Sequence, residues 1–333
     1  MIDRAALDQV ITETRFSGVV RVDLDDETVV EVAYGLANRA YGVPNRIGTR
    51  FAIASGQKGL TALTVMRLVE RGDLSLDTRV RTLLGGDLPL ISHAVTVEHL
   101  LAHRSGIGDY LDESSVGSIT DYVMPVPVHQ LDTVEAYLPA LAGHPAVSAP
   151  DERFEYNNGG FVVLSLVAER ATGTPFAELV ERYVCGPAGM EHTSFLRSDE
   201  LPGDAAIGYL HAEGLRSNAL HLPVCGAGDG GIYSTVGDVH ALWRALRGGR
   251  IVRPDTFAAM TRPRSTLPSG RFRYGLGFWL GGDSDAIQLE GYDAGVSFRA
   301  VHVPSLGCTH TMISNTSDGA WPVSDLLIEA FAR

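Results

Sequence analysis

Apolar and polar positions follow two different periods along this chain, and the changes of period divide it. Near the start, Gly18–Leu24 and Thr28–Tyr34 are valine-rich runs on either side of Asp25-Asp26-Glu27, a pattern that predicts a two-stranded ribbon with a polar turn. From Ser55 the spacing becomes helical: Leu60, Leu63, Met66 and Val69 recur at three-residue steps until Gly72 stops the run. Further helices are predicted at the short apolar stretch Val97–Ala102, the amphipathic stretch Asp132–Leu141 and the almost wholly apolar Gly160–Ala171. Another begins at Thr174-Pro175, with proline at the first helical position, and closes at Gly186-Pro187.

Strand chemistry returns in the last third. Tyr274–Leu280, Ala286–Leu289, Val296–Val303 and Thr309–Ser314 are separated by turns containing Gly, Asp or Pro. Within this stretch Thr235–Leu246 reads as a helix opened by a Thr235-x-x-Asp238 capping box, and Val323–Ala332 as a closing helix. Strands at both ends around a helical middle predict one α/β domain from residues 1–60 and 211–333, with a mostly helical insertion over 61–210. The least regular stretch, Gly108–Arg153, holds Pro125, Pro127, Pro145 and Pro150 and a serine-rich patch at Ser114–Ser118, and reads as a long loop over a site between the two parts.

Composition narrows the function classes. The 333 residues are 45% hydrophobic, enough for a full-sized core. A net charge of −13 repels phosphate backbones and anionic membranes, and no apolar run approaches the length of a membrane span. Cys185, Cys225 and Cys308 are widely spaced and odd in number, which predicts free thiols. The first residues lack the apolar core of a secretory signal, so the chain is expected in the cytoplasm. No pattern asks for a metal or another cofactor, and the expected partner is a small acyl substrate.

The basic residues carry the sharpest signal: 26 arginines and a single lysine, Lys58. Ser55-Gly56-Gln57-Lys58 sets a hydroxyl and an amine three residues apart at a helix start, where side chains at that spacing share a face. Everywhere else this chain uses arginine for positive charge. Arginine cannot give up its proton, whereas a desolvated lysine can. Matching a lysine to pH 7 takes about 4–5 kcal/mol of environmental bias from its ordinary value near 10.4, which burial can supply. Tyr156-Asn157-Asn158 adds a phenol and a carboxamide on a turn before an apolar helix, the one a proton shuttle, the other able to hold both a lysine and a substrate carbonyl.

With these motifs in order, the chain resembles the serine β-lactamase and penicillin-binding-protein superfamily, nearest the branch of class C β-lactamases, D-alanyl-D-alanine carboxypeptidases and related esterases. Phe51-Ala-Ile-Ala-Ser55-Gly-Gln-Lys58 matches the first motif, Tyr156-Asn-Asn158 the Y-x-N motif, and Leu100-Leu-Ala-His103-Arg-Ser105-Gly106 the L-L-x-H-x-S-G segment. Gly186–Met190, Gly230–Asp238 and Tyr274–Phe278 match flanking signatures, so the similarity runs nearly end to end. The resemblance implies an α+β sandwich, an antiparallel sheet flanked by helices and formed by both termini. It implies an acyl-enzyme on Ser55, with Lys58 and Tyr156 sharing the proton and Asn158 orienting lysine and substrate. Which of Lys58 and Tyr156 is the formal base stays open, because the pair titrates as one unit. The backbone N–H groups of Ser55 and Tyr292 would form the oxyanion hole.

The third motif departs from the family. Relatives carry Lys-Thr-Gly or His-x-Gly, and alignment on Gly295 places Leu289-Glu290-Gly291 there, without a cation. That loss disfavours anionic substrates, unless an arginine such as Arg299 substitutes. The expected function is therefore a serine hydrolase of a small ester or amide. The alternatives are a β-lactamase or D,D-peptidase, and a non-turnover acyl-binding protein or acyltransferase. Gly226–Gly231 spells G-x-G-x-x-G without the β-α-β context of a dinucleotide site. His99 and His103 lack the glutamate of a zinc hydrolase and read as core or capping histidines, and Trp279 and His302 read as packing residues.

Overall fold

A computed structural model describes residues 3–111 and 117–331, so most of the serine-rich patch lies outside the described residues. Its frame is an eight-stranded antiparallel sheet. The strands are β1 (Gly18–Leu24), β2 (Glu27–Tyr34), β3 (Ser265–Thr266), β4 (Phe272–Tyr274), β5 (Trp279–Gly281), β6 (Ile287–Asp293), β7 (Val296–Val303) and β8 (Cys308–Ser314). Their order is β2-β1-β8-β7-β6-β5-β4-β3, so the N-terminal ribbon adds to the C-terminal strands through the β1–β8 pairing of Gly18 with Ser314.

Strand periodicity sorts the residues to the two faces. Val20, Val22 and Met312 face α1 (Arg4–Thr14) and the C-terminal helix Ala320–Phe331, forming a core with Leu7, Ile11, Val323 and Leu327. Their neighbours Val19 and Ile313, with Leu289, Phe298 and Ala300, face the larger core. That core holds α2 (Gln57–Arg71), α3 (Asn158–Thr172) and α4 (Val236–Arg247). The C-terminal helix is called α5 below.

Several predicted elements have other bounds, for local reasons. The run expected as one strand over Tyr274–Leu280 is the β4–β5 hairpin. Gly277 has φ 82°, and a Cβ there would lie 2.2 Å from that of Ala62, so the turn tucks against α2. The helix expected over Asp132–Leu141 is only a 3-10 turn at Glu135–Tyr137 and one helical turn at Leu138–Leu141, started where Thr133 Oγ1 accepts the Ala136 N–H. The helix expected to close at Gly186-Pro187 runs on through a π turn, Glu181–Cys185, to Ala188, because Pro187 opens a new turn where its missing N–H is not needed. Thr174 does not cap it; the Glu169 carboxylate accepts the Phe176 N–H at 2.7 Å. Thr235 caps α4 as expected, but Asp238 accepts from His192 N and Thr193 Oγ1 instead of closing a capping box.

The three cysteines are free, Cys185 and Cys308 buried. Among the described residues no helix is long and apolar enough to cross a membrane, and no three His, Cys, Asp or Glu side chains are grouped to hold a metal ion.

Candidate active site

Ser55 stands at the junction of strand and helix. It lies in a 3-10 turn, Ala54–Gly56, that leads into α2, and the preceding Ala54 has φ 44°, a left-handed conformation that costs a non-glycine residue about 1–2 kcal/mol. The turn is gripped from two sides. Gln57 on the first turn of α2 donates to Ala227 O and accepts from Ile232 N at 2.8 Å, while Thr61 donates to Gly228 O at 2.6 Å. On the other side β6 passes so close that a Cβ on Gly291 would fall 2.0 Å from Ile53 O and 2.9 Å from Gly56 N. Glycine is required at 291 to let strand and turn meet.

Lys58 is 2% exposed, and its Nζ donates to Ser55 Oγ, Asn158 Oδ1 and Asp229 O, each at 2.8 Å. The three acceptors come from the 3-10 turn, the start of α3 and the 226–231 turn. The glycine-rich segment set aside as a dinucleotide motif is thus the wall behind the lysine. Nζ also sits 5.1 Å from the ring centroid of Tyr156. Tyr156 stacks on Trp279, with centroids 5.8 Å apart and planes 17° from parallel. Ser55, Tyr156 and Trp279 line one cavity of about 650 Å³, whose lining also includes Gly108, Asp109 and Val147 from the long irregular segment.

The L-L-x-H-x-S-G segment holds the Tyr156 turn in place. His103 is buried, accepts the Asn157 N–H at its Nδ1 (3.1 Å) and lies 4.4 Å from the Tyr156 ring. Burial, aided by the charge of Lys58, holds its imidazole well below the usual histidine range. A neutral ring is what an accepting Nδ1 requires. His99 takes the capping role, bonding with Thr96 at the start of a short helix, Val97–Leu101.

The third motif carries no cation, although Glu290 lines the cavity. Leu289 is buried with its side chain over Gly59 of α2. Arg299 does not replace the missing cation. It projects from the sheet face that carries α5, donates to Glu290 at 2.8 and 2.5 Å and to Ser324 Oγ at 2.6 Å, and covers the ring of Trp321. Period-two alternation explains the correction: Arg299 lies between Phe298 and Ala300, which point to the helical core. Tyr292 is at the cavity rim, its ring 5.9 Å from that of Trp321. His302 is away from the site, stacked on Trp243, as expected of a packing residue, whereas Trp279 forms a cavity wall.

Two features escaped the sequence reading. Asp229 acts through its backbone carbonyl, which no side-chain pattern reveals. Asp109 lines the cavity and accepts the N–H groups of Asn158 (2.6 Å) and Gly159 (2.8 Å). A lone aspartate in a loop gives no periodic signal.

Residues 4–328 match the protein family described as Beta-lactamase. The chain is 27% identical to a putative penicillin-binding protein, PbpX, of Bacillus subtilis, over 81% of this chain and 63% of that protein. It therefore spans under two thirds of that relative's length. It is 32% identical to the esterase EstB of Burkholderia gladioli, over 78% of this chain and 72% of the esterase. The solved structure of a penicillin-binding protein from Bacillus halodurans superposes with a TM-score of 0.91 at 34% identity, covering 98% of this chain and all of that one.

Proposed function

Starting from the membership of this chain in the β-lactamase family, we propose that it is a serine hydrolase that forms an acyl-enzyme on Ser55 and acts on a small ester or amide. The observation that carries the reading is the buried Lys58 Nζ held at 2.8 Å from Ser55 Oγ, beneath the Tyr156 ring.

In this reading Ser55 Oγ attacks the substrate carbonyl carbon and its proton passes to the Lys58–Tyr156 pair. The negative charge on the carbonyl oxygen is taken by the backbone N–H groups of Ser55 and Tyr292, which the contact of β6 with the 53–56 turn supports. The bond to the alcohol or amine breaks as the pair returns the proton to the leaving group. Water, activated by the same pair, then releases the acid. Residues 1–60 and 211–333 supply Ser55, Lys58 and β6, and residues 61–210 supply Tyr156 and Asn158, so the site would form between the two parts.

Esterase or amidase activity is preferred over β-lactamase activity because the third-motif position is a buried leucine and Arg299 is bound on the other face of the sheet. An esterase among the relatives agrees with that preference. The relatives named penicillin-binding proteins support a second reading, acylation without turnover. Assays with p-nitrophenyl esters beside a chromogenic cephalosporin separate these readings: ester turnover exceeds cephalosporin turnover if the first holds, and a stable adduct on Ser55 with turnover of neither substrate favours the second. Fast cephalosporin hydrolysis with negligible esterolysis overturns the first.

A further inference from the structure

Asp109 is more than a helix cap. Its Oδ2 accepts the backbone N–H of Asn158 at 2.6 Å, and its Oδ1 accepts those of Gly159 at 2.8 Å and Leu111 at 3.4 Å. Two residues on, the Leu111 carbonyl accepts from Asn158 Nδ2 at 3.4 Å, which turns the amide oxygen toward Lys58. Backbone and side chain of Asn158 are therefore both fixed by residues 109–111. The packing leaves no slack, since a Cβ on Gly159 would lie 3.1 Å from Asp109 Oδ1.

Capping alone does not account for a buried carboxylate here. Asn157 already caps α3, its Oδ1 taking the Gly160 N–H at 2.6 Å, and neutral caps serve helices as well as aspartate does. Burial, with a smaller contribution from the charge of Asp229, pushes the Asp109 carboxyl up to about 6 against the three N–H bonds that favour its ionised form. An ion is kept where it is costly to keep one, at two bonds' remove from the lysine.

We propose that Asp109 is a positioning residue for the Ser55–Lys58 pair: its carboxylate fixes Asn158, and through Asn158 Oδ1 it fixes the Lys58 ammonium that meets Ser55. The proposal rests on the acyl-enzyme reading above. The groups around the carboxylate are Asp229 from the 226–231 turn, Tyr110 and Tyr122 from its own segment, and Glu155, Tyr156 and His144 along the same cavity. Protonation of Asp109 as pH falls through about 6 weakens its hold on Asn158, so the acyl-transfer rate declines on that side.

The test compares wild type with D109N and D109A, with D109S as the variant that covers a failure of D109N to fold. Concentrations are set by titrating Ser55 with a fluorophosphonate, so misfolded protein does not count. For a p-nitrophenyl ester, kcat falls about 10-fold or more in D109N and further in D109A, while KM stays within about 2-fold. The decline below about pH 6 seen in wild type is absent from D109N. A wild-type kcat and pH profile in D109N overturns the proposal, as does a raised KM with unchanged kcat, which would make Asp109 a substrate contact. A lowered Tm with full kcat in the titrated fraction overturns it too, leaving a cap alone. If wild type is not labelled on Ser55, the acyl-enzyme reading fails and takes the proposal with it; labelling with an unaltered D109N removes only the role of Asp109.

Discussion

Lys58 Nζ lies 2.8 Å from Ser55 Oγ, and the same nitrogen is bonded by two further oxygens in a pocket that leaves the lysine 2% exposed. A compact ammonium fits three acceptors converging from three directions. The planar guanidinium of arginine, the cation this chain uses everywhere else, does not.

Lys58→Arg therefore lowers ester hydrolysis by about 1,000-fold although the charge is kept, since the donor can neither fit the pocket nor release a proton. Steady-state rates beside thermal melts check this. A variant that melts near wild type yet keeps more than about a tenth of the activity contradicts the assigned role.

Gly291→Ala places a methyl group 2.0 Å from Ile53 O, so β6 and the Ser55 turn must separate. The expected outcome is a loss of about 100-fold or more in kcat, the scale of one lost oxyanion donor, together with a lowered Tm. Gly48→Ala is the control, since a Cβ at Gly48 meets nothing within 4 Å and its backbone is not left-handed.

How much of this was legible beforehand differs from residue to residue. Ser55, Lys58, Tyr156 and Asn158 were readable because their spacing is local and their chemistry is carried by side chains. The ribbon β1–β2 and strand β7 were readable because short valine-rich runs bounded by turn residues report strands. The helix α1 was not singled out, although Asp3 caps it and Leu7 and Ile11 form its buried stripe. The inward turn at Gly277 was hidden inside an apolar run that reads equally well as a strand. The face on which Arg299 lies depends on register within the sheet, and Asp109 and the Asp229 carbonyl depend on tertiary contacts, none of which leaves a local trace.

Leu289→Lys does not restore a third-motif cation. The side chain at 289 is buried against Gly59, and an ammonium there is desolvated without a partner. The variant is expected to melt lower than wild type and to gain no cephalosporin hydrolysis. A gain with an unchanged Tm would show that the strand presents position 289 to substrate.

Acid stability should track Asp23 on β1. Burial works against its carboxylate, but the imidazole of His240 at 2.9 Å, and then hydrogen bonds from Arg21 and Thr28, prevail and lower its carboxyl from 3.8 to about 2. The folded chain thus binds this proton less readily than the unfolded one. The stabilisation is fully present above about pH 4 and is lost as pH falls toward 2. Asp23→Asn is expected to cost about 2 kcal/mol in denaturant melts at pH 7, the scale of a hydrogen bond to a charged group, with a smaller difference from wild type at pH 3. An equal difference at both values contradicts the assignment.

The central claim is that Ser55 is the acylated nucleophile. Intact-mass spectrometry with peptide mapping after fluorophosphonate treatment tests it most directly, with Ser55→Ala treated alongside. The expected result is one adduct on Ser55 in the wild type, none in Ser55→Ala, and no ester hydrolysis by that variant. Full hydrolysis by Ser55→Ala, or an adduct elsewhere that abolishes activity, contradicts it.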